Sequence, residues 1–327
     1  MKVLARLAST AFLALAIVSL HAHAADSPPD RSVFMTRRMP YAEFDRLPAH
    51  HLEVRGAKLT VAFVPGDLKL SQDRLLEWVK HSAGIVADYY GRFPVDSARI
   101  AIVPVNGAGV RGGTTFGYRG SATKVMVGAD ATSAQLDDDW VLIHEMIHYA
   151  FPDTDDSHLW FSEGQATYVE SVARVQAGAR DAHDVWREFM GQMPKGLPRD
   201  GDQGLDRTHT WGRTYWGGAI FCLLADVEIH KRTHNKLGLQ DALRAVVNAG
   251  GVNTQDWPLE KALRIADAAV GVNVLQELYD KLKDSPGDID LDRLWRDLGV
   301  RATDAGVDFD DTAALAEVRK AIMERKR

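Results

Sequence analysis

The residues of this chain best suited to chemistry are His-Glu-Met-Ile-His at positions 144–148. Two histidines four positions apart lie on the same face of a helix, so both imidazoles can bind one metal ion. Glu145, between them, would then lie beside the open position of that metal. A catalytic zinc takes three protein ligands, and Glu163, fifteen residues beyond His148, is predicted to be the third. The His, His, Glu ligand set favours Zn²⁺ over other metals, and we expect one such ion.

The surroundings of this pentapeptide favour a functional use of its polar side chains. Apolar residues dominate positions 140–151, which predicts a buried helix. Buried ionisable side chains are costly unless they have partners, and a metal ion would supply one. The alternative is a buried His–Glu hydrogen-bond network that holds no metal.

A second predicted helix starts near residue 160 and runs to about residue 177, with Ser162 as its N-cap. Glu163, Thr167 and Glu170 follow the spacing i, i+4, i+7 and therefore share one face of it. If Glu163 binds the metal, the other two side chains point toward the same site. We expect Thr167 and Glu170 to hold the ring N–H groups of the zinc-binding histidines. The alternative for Glu170 is a solvated surface carboxylate.

Together, H-E-x-x-H at 144–148 and W-x-x-E-G-x-A at 160–166 resemble the gluzincin metallopeptidases, specifically the M1 and M61 aminopeptidase families. The residues Tyr-Trp-Gly-Gly-Ala at 215–219 resemble the Y-x-K-G-A motif of these families, and the resemblance implies that Tyr215 stabilises the transition state. The similarity covers roughly residues 55–300. It implies a thermolysin-like (gluzincin) catalytic domain that hydrolyses peptide bonds.

The chain departs from these families at two informative places. Gly217 replaces the lysine of the tyrosine motif. Upstream of the zinc helix, where M1 enzymes carry G-x-M-E-N, residues 112–117 read Gly-Gly-Thr-Thr-Phe-Gly and offer no glutamate to a substrate's free amine. Aminopeptidase specificity is therefore not implied, and we favour endopeptidase or atypical cleavage of a peptide or protein substrate.

The predicted reaction is zinc-dependent hydrolysis of a peptide bond. Glu145 would act as general base on the water that the metal activates, and would then pass the proton to the leaving amine. Tyr215 is the first candidate for a donor to the oxyanion, with His209 and His234 as alternatives. His209 lies in a Gly- and Trp-rich turn suited to lining the cleft, whereas His230 and His234 are interpreted as solvated charges at a helix end.

The glycine-rich pattern G-x-G-x-x-G at 107–112 follows a predicted strand, as it does in dinucleotide-binding proteins. Such a site needs a helix to begin there, and residues 113–118 do not start one. We interpret the segment as a loop leading to an edge strand beside the zinc. Gly113, Thr114 and Thr115 of that strand would bind an extended substrate through backbone hydrogen bonds.

Two other functions are compatible with these motifs. One is a zinc hydrolase that acts on a non-standard amide such as a cell-wall cross-link, since the metal chemistry would be the same. The other is a non-catalytic binding module that holds zinc. Glu145 argues against the binding module, because a scaffold needs zinc ligands but no base.

Residues 1–24 are typical of a secretory signal peptide. Lys2 and Arg6 precede an apolar run at 7–20, and Ala-His-Ala at 22–24 fits cleavage after Ala24. A periplasmic or secreted protein is expected, with no membrane attachment after cleavage; the alternative is an uncleaved anchor. Removing the two basic signal residues from 39 leaves 37 Lys and Arg against 45 Asp and Glu, a net charge of −8. This charge argues against nucleic acid as a partner.

The single cysteine, Cys222, excludes an intrachain disulfide, and its apolar neighbours predict that it packs rather than reacts. The acidic loop at 153–156 is interpreted as solvated, with one acid capping a helix. The sequence leaves the oligomeric state open.

The predicted organisation is a signal peptide (1–24), an N-terminal extension (25–50), a peptidase domain (51–300) and a C-terminal helical tail (301–327). Strand candidates lie at 57–64, 100–105 and 124–127, with a helix at 70–90. From residue 138 onward the periodicity is helical, at about 138–151, 159–177, 182–191, 212–229, 238–248, 257–268, 273–283, 290–297 and 310–325. Strands followed by helices indicate an α+β fold, with a small N-terminal sheet and a mostly helical C-terminal part.

Overall fold

The structure, a computed structural model, describes residues 29–325. The predicted signal peptide and its cleavage site lie outside the described residues. Within residues 29–325, no helix combines the length and the apolar character needed to cross a bilayer.

A five-stranded sheet forms the N-terminal part of the fold, in the strand order β1-β2-β3-β5-β4. The strands are β1 (Ala49–Val54), β2 (Ala57–Phe63), β3 (Ser97–Val105), β4 (Val110–Phe116) and β5 (Ala122–Gly128). β2, β3 and β5 are parallel neighbours, whereas β1 and β4 lie antiparallel at the two edges. The three predicted strands correspond to β2, β3 and β5, and the edge strand expected after the glycine-rich loop is β4. The sequence patterns do not predict β1, which has few β-branched residues.

Helices make up most of the remaining chain. They are α1 (Tyr41–Phe44), α2 (Gln72–Tyr90), α3 (Ser133–Asp137), α4 (Val141–Ile147), α5 (Leu159–Gln176), α6 (Ala182–Gln192), α7 (Gly218–Arg232), α8 (Leu239–Asn248), α9 (Leu259–Val270), α10 (Leu275–Leu282), α11 (Leu291–Leu298) and α12 (Ala316–Met323). Short 3₁₀ segments lie at Arg31–Met35, His148–Ala150, Asp156–His158 and Met193–Gly196, and a π-helical turn lies at Arg213–Gly217. The fold is α+β, as the order of predicted elements indicated.

The C-terminal tail differs from its prediction as a single helix at 310–325. An antiparallel hairpin of β6 (Val300–Thr303) and β7 (Gly306–Phe309) comes first, and α12 is correspondingly short. Gly306 has a φ of 141°, a backbone conformation that glycine adopts without steric cost, and it begins the return strand. The two strands have only four residues each, too short for a pattern of period two to be recognised.

The two faces of the sheet are covered by different parts of the chain. Alternate residues of a strand point to opposite faces. One set, which includes Leu59, Ile100 and Val125, belongs to the main core together with α2, α4 and α5. The other set, which includes Ala62 and Val103, forms a second cluster with Phe34, Met39, Tyr41, Phe44 and Leu47.

Residues 29–48, which the sequence analysis assigned to an extension, therefore pack onto the sheet. Lys124 of β5 anchors them, because its buried ammonium group donates hydrogen bonds to the backbone carbonyls of Phe34, Thr36 and Arg38. Burial lowers the pKa of Lys124. A polar, proline-containing segment looks like a linker in sequence, but here backbone oxygens and a few aromatic side chains attach it to the fold.

Helices α5 and α7 cross in direct backbone contact. A Cβ atom added at Gly164 of α5 would lie 2.2 Å from the Cα of Gly218, and one added at Gly218 would lie 2.0 Å from the carbonyl oxygen of Trp160. Only glycine permits this approach. The crossing places the residue before Gly164, which is Glu163, next to the π-helical turn that carries Tyr215.

Candidate metal centre

The structure brings together the three side chains predicted to bind zinc. His144 and His148 extend from α4 and the 3₁₀ turn after it, and Glu163 extends from the first turns of α5. One ligand atom from each lies within 4.8 Å of the others. Glu163 Oε2 is 3.2 Å from His144 Nε2 and 3.7 Å from His148 Nε2. Within residues 29–325 this is the one group of three such residues that converges, and its atoms fit a single ion.

Helix α4 is short, and it is buried along its whole length. Its first turn is satisfied by Asp139, whose carboxylate accepts hydrogen bonds from the amides of Val141 (3.0 Å) and Leu142 (3.1 Å). These bonds replace the intrahelical partners that the first amides of a helix lack. The capped, buried helix therefore holds both histidines rigidly against α5.

Electrostatics give two of the three side chains, His148 and Glu163, the protonation state that a metal ligand needs. Burial lowers the pKa of His148 to about 4, so its imidazole is neutral. For Glu163, burial alone would raise the pKa, but the hydrogen bond with His144 and the nearby imidazoles lower it, so the carboxyl group is ionised. Burial likewise opposes protonation of His144, yet Glu163 and Glu145 raise its pKa. A cation bound between these groups would displace that proton.

Glu145 lies beneath the edge strand β4. Burial raises its pKa to about 7. The hydroxyl of Thr115 lies 2.8 Å from Glu145 Oε2 and donates to it. A Cβ atom at Gly113 would lie 2.4 Å from Glu145 Cγ, so only glycine lets the strand approach the acid this closely. Of the three β4 residues expected to bind substrate, Gly113 and Thr115 thus also position Glu145, while Thr114 is exposed at the edge.

Tyr215 lies on the other side of the metal ligands. Its ring stacks near that of His144, with the centroids 6.4 Å apart. Burial, together with the charges of Glu163 and Glu145, raises the pKa of the phenol to about 12. The hydroxyl therefore keeps its proton at neutral pH and can donate a hydrogen bond. The π-helical turn that presents it is anchored by Arg213, which is ion-paired with Asp202 at 2.8 Å and donates to the carbonyl of Gly196.

The structure gives Thr167 and Glu170 partners other than the imidazoles. Thr167 donates to the carbonyl of Glu163 within its own helix, and Glu170 accepts hydrogen bonds from Arg174 and Ser171. Among the described residues, the buried Nδ1 of His144 has no hydrogen-bond partner. The prediction that Thr167 and Glu170 hold the ring N–H groups of His144 and His148 is therefore wrong.

Ser162 takes that place for one of the ligands. Its hydroxyl lies 3.1 Å from His148 Nδ1. The sequence analysis made Ser162 the N-cap of α5, but the helix begins at Leu159 with His158 as its N-cap residue. Because the helix starts four residues earlier than a cap at Ser162 implies, Ser162 lies inside it and its hydroxyl faces His148. The sequence signal that could have predicted this contact is the position of a serine directly before the predicted ligand Glu163.

The remaining histidines lie away from the site. His209 is exposed and is not among the residues that line the cavities at the metal centre. His234 is also exposed, with a φ of 52°. His230 is buried, 1% exposed, with its Nε2 3.5 Å from Asp226 Oδ1, so its interpretation as a solvated charge is wrong. The start of α8 packs against it, since a Cβ atom at Gly238 would lie 2.5 Å from His230 Nε2.

Other features follow their predictions. In the glycine-rich segment 107–112, residues 107–109 form a bend and β4 begins at Val110, with no helix after it. Cys222 is buried, and burial raises the pKa of its thiol. In the acidic loop, Asp155 caps the 3₁₀ turn by accepting from the amide of Ser157.

Two cavities meet at His144 and Tyr215. One has a volume of about 550 Å³ and lies between α5, α6 and the π-helical turn. The other, of about 470 Å³, runs along β4 and the acidic loop. The metal centre thus lies between two spaces that are open to substrate, each within the size range of ligand pockets.

Known proteins share this fold. No protein-family model matches the chain, and no curated protein matches it. An aminopeptidase N family protein from Idiomarina loihiensis matches 78% of this chain with a TM-score of 0.56 and 15% identity. An M1 zinc metallopeptidase from Deinococcus radiodurans matches 75% with a TM-score of 0.50 and 15% identity. The chain covers 49% and 53% of those chains, about half their length. The resemblance to M1 zinc metallopeptidases is therefore confirmed for the fold.

Proposed function

We propose that this protein is a zinc-dependent peptidase with one Zn²⁺ held by His144, His148 and Glu163. The observation that carries the proposal is the convergence of these ligand atoms within 4.8 Å, beside the buried acid Glu145. A neutral imidazole and an ionised carboxylate are the donors that zinc takes in catalytic sites. The likeness in fold to M1 zinc metallopeptidases supports the same reaction class.

Zn²⁺, when bound, polarises the scissile carbonyl and lowers the pKa of water. Glu145 accepts a proton from that water and returns it to the leaving amine. A group that must both take and give a proton works best with a pKa near the working pH, and burial raises the pKa of Glu145 to about 7. The 2.8 Å hydrogen bond from Thr115 directs one carboxylate oxygen, leaving the other for the proton transfer.

Tyr215 donates a hydrogen bond to the oxyanion that forms on the carbonyl oxygen when the water oxygen bonds to the carbonyl carbon; this oxyanion collapses as the C–N bond breaks and the amine leaves with the proton from Glu145. Its raised pKa keeps the phenol protonated, and its position beside Glu163 and His144 puts it at the metal centre. A fixed donor that meets charge only in the transition state lowers the barrier without strengthening substrate binding. Tyr215 is thus preferred to His209 and His234, which lie elsewhere.

The substrate lies as an extended strand along β4, the edge of the sheet. Edge strands present unpaired backbone groups that a peptide can join. Gly113, Thr114 and Thr115 line the cavity beside Glu145, so a peptide paired there passes the base. We further propose that the catalytic domain is thermolysin-like and that the enzyme cleaves bonds in the interior of its substrate, as an endopeptidase does. Residues 1–24 would direct export of the protein.

The experiment compares the purified protein with Glu145→Gln and with Glu53→Gln, an exposed acid on β1 as matched control. Each is incubated with a complex peptide mixture, products are read by mass spectrometry, and zinc is measured by atomic absorption. We expect cleavage by the wild type and by Glu53→Gln, and a loss of several orders of magnitude in Glu145→Gln with zinc retained.

Cutting by Glu145→Gln at the wild-type rate would remove Glu145 as the base. A wild type that holds zinc but cuts no peptide would contradict the peptidase proposal.

A further inference from the structure

The larger cavity at the metal centre, of about 550 Å³, has a wall built from Trp140, Trp211, Tyr215 and Trp216. We call it the aromatic cavity. It reaches the zinc ligands through His144 and Tyr215, so a substrate held at the metal has one of its side chains at the mouth of this cavity. The inference below concerns that side chain and rests on the proposed peptidase function.

The charged groups of the aromatic cavity are all ion-paired, but four carboxylates share three guanidinium groups, so the lining carries one excess negative charge. Its lining includes the pairs Glu170–Arg174 (2.9 Å), Asp138–Arg174 (3.2 Å), Glu188–Arg180 (2.6 Å) and Asp184–Arg187 (2.7 Å). Every Asp, Glu and Arg of the lining belongs to one of these pairs. A carboxylate of the substrate would have to displace an acid from its arginine to gain a partner, and for the buried Glu170–Arg174 pair this leaves an uncompensated charge. A cationic group would find only the excess carboxylate, and the side chain of Asp138 is 92% exposed, so solvent weakens that attraction.

The aromatic wall, in contrast, includes large apolar side chains that are exposed and could pack against a ligand. Trp140 is 52% exposed and Trp211 is 60% exposed. Five large apolar side chains are exposed in residues 29–325, and four of them line the two cavities at the metal centre. Apolar surface concentrated at one cleft is a sign of ligand binding.

The rings of this wall are continuous with the metal ligands. Trp140 meets the His144 ring edge-on at 5.7 Å, and Tyr215 stacks on the other side of His144. Trp211 extends the row, with its centroid 5.8 Å from that of Tyr215. A side chain entering here lies against aromatic rings from the metal outward.

We propose that the aromatic cavity binds a large aromatic or aliphatic side chain of the substrate residue next to the scissile bond. Burying apolar surface against Trp140 and Trp211 favours such a residue. The paired charges give no compensation to Asp or Glu at that position, and the exposed excess carboxylate gives little to Lys or Arg. The cavity therefore sets cleavage specificity, and Trp211 is the specificity residue that can be changed with least effect on the fold, since it is the most exposed.

The test starts from the cleavage site found by mass spectrometry. Peptides of one sequence are then varied at each residue flanking that bond, with Phe, Leu, Ala, Glu or Lys in turn. At one of the two positions, we expect kcat/KM for Phe and Leu to exceed that for Ala by about tenfold or more. Glu and Lys should not exceed Ala.

Three variants locate this preference. Trp211→Ala should reduce the Phe-to-Ala ratio to about threefold or less, whereas Trp211→Phe should keep most of it because an aromatic ring remains. Met35→Ala removes a side chain that is 53% exposed on the opposite face of the sheet, and should leave the ratio unchanged.

The outcomes separate this inference from the proposed function. A wild type that cuts peptides with no preference at either position, or with a preference for Lys or Glu at the position that Trp211→Ala alters, overturns the inference but not the peptidase. A Phe preference that survives in Trp211→Ala, or that falls equally in Met35→Ala, overturns the assignment to this cavity. Absence of cleavage of every peptide overturns both.

Discussion

Replacing Gly164 by alanine tests whether Glu163 is held in place by the backbone crossing of α5 and α7. The added Cβ would lie 2.2 Å from the Cα of Gly218, whereas ordinary van der Waals contact begins at 3.4 Å. The two backbones must therefore move apart by about 1.2 Å or absorb an equivalent strain. No flexible side chain is available to give way.

The magnitude follows from two opposing contributions. Alanine is favoured over glycine in a helix interior by about 0.5–1 kcal/mol. Overpacking a well-packed core typically costs about 1–3 kcal/mol, and contact between backbones lies toward the upper end. We expect Gly164→Ala to lower the free energy of unfolding by about 1–2 kcal/mol. Gly84→Ala in α2 is the matched control, since a Cβ there meets nothing within 4 Å, and it should gain about 0.5–1 kcal/mol.

Urea denaturation at 25 °C measures both free energies, and an unchanged m-value would show that the same unfolding reaction is observed. Zinc affinity, from competition with a chelator, should fall in Gly164→Ala because the next residue, Glu163, moves with the helix. It should not change in Gly84→Ala. The reasoning is refuted if Gly164→Ala is stabilised as much as Gly84→Ala and binds zinc as tightly as the wild type.

Three further predictions concern single contacts. Tyr215→Phe should lower kcat by about 10²–10³ with zinc content intact, because it removes a donor that acts only in the transition state; steady-state kinetics with an unchanged kcat would return that role to another group. Ser162→Ala should weaken zinc binding about 10–100-fold by removing the partner of His148, and an unchanged affinity in a chelator titration would show that this bond orients nothing. The third prediction concerns the pair of Asp206 and His158. Burial acts to raise the pKa of Asp206, but hydrogen bonds from His158 and neighbouring side chains lower it overall, and the hydrogen bond with Asp206 raises the pKa of His158. The loss of stability in Asp206→Asn should therefore be largest between about pH 4 and 6.5, shrinking below this window as Asp206 is protonated in the wild type and above it as His158 loses its proton; a loss independent of pH in denaturation curves would contradict the pairing.

Local sequence accounts for much of the metal centre. The four-residue spacing of His144 and His148 predicts a shared helix face, since that geometry depends on one element only. The spacing and apolar character of the following segments also predict most of the helices from α4 to α11. Resemblance to known motifs, rather than periodicity, pointed to Glu163 and Tyr215.

Features that depend on the packing of separate elements were not predictable in this way. Ser162 was assigned to a helix end because its sequence suits a cap, and only the packing of α5 against α4 turns its hydroxyl to His148. His230 follows a polar pattern at a helix end, yet neighbouring elements bury it. Residues 29–48 have the composition of a linker but find partners on the sheet.

The sequence by itself determined the candidate metal ligands His144 and His148, the acid between them and the α+β order of the elements, because each rests on the geometry of a single helix or strand or on a motif. The tertiary structure decided which groups meet: the backbone crossing at Gly164 and Gly218, the approach of β4 to Glu145, and the pairing of Arg174 on α5 with Asp138 from the segment before α4. Such contacts depend on how surfaces from distant segments fit together, and no local periodicity encodes that fit.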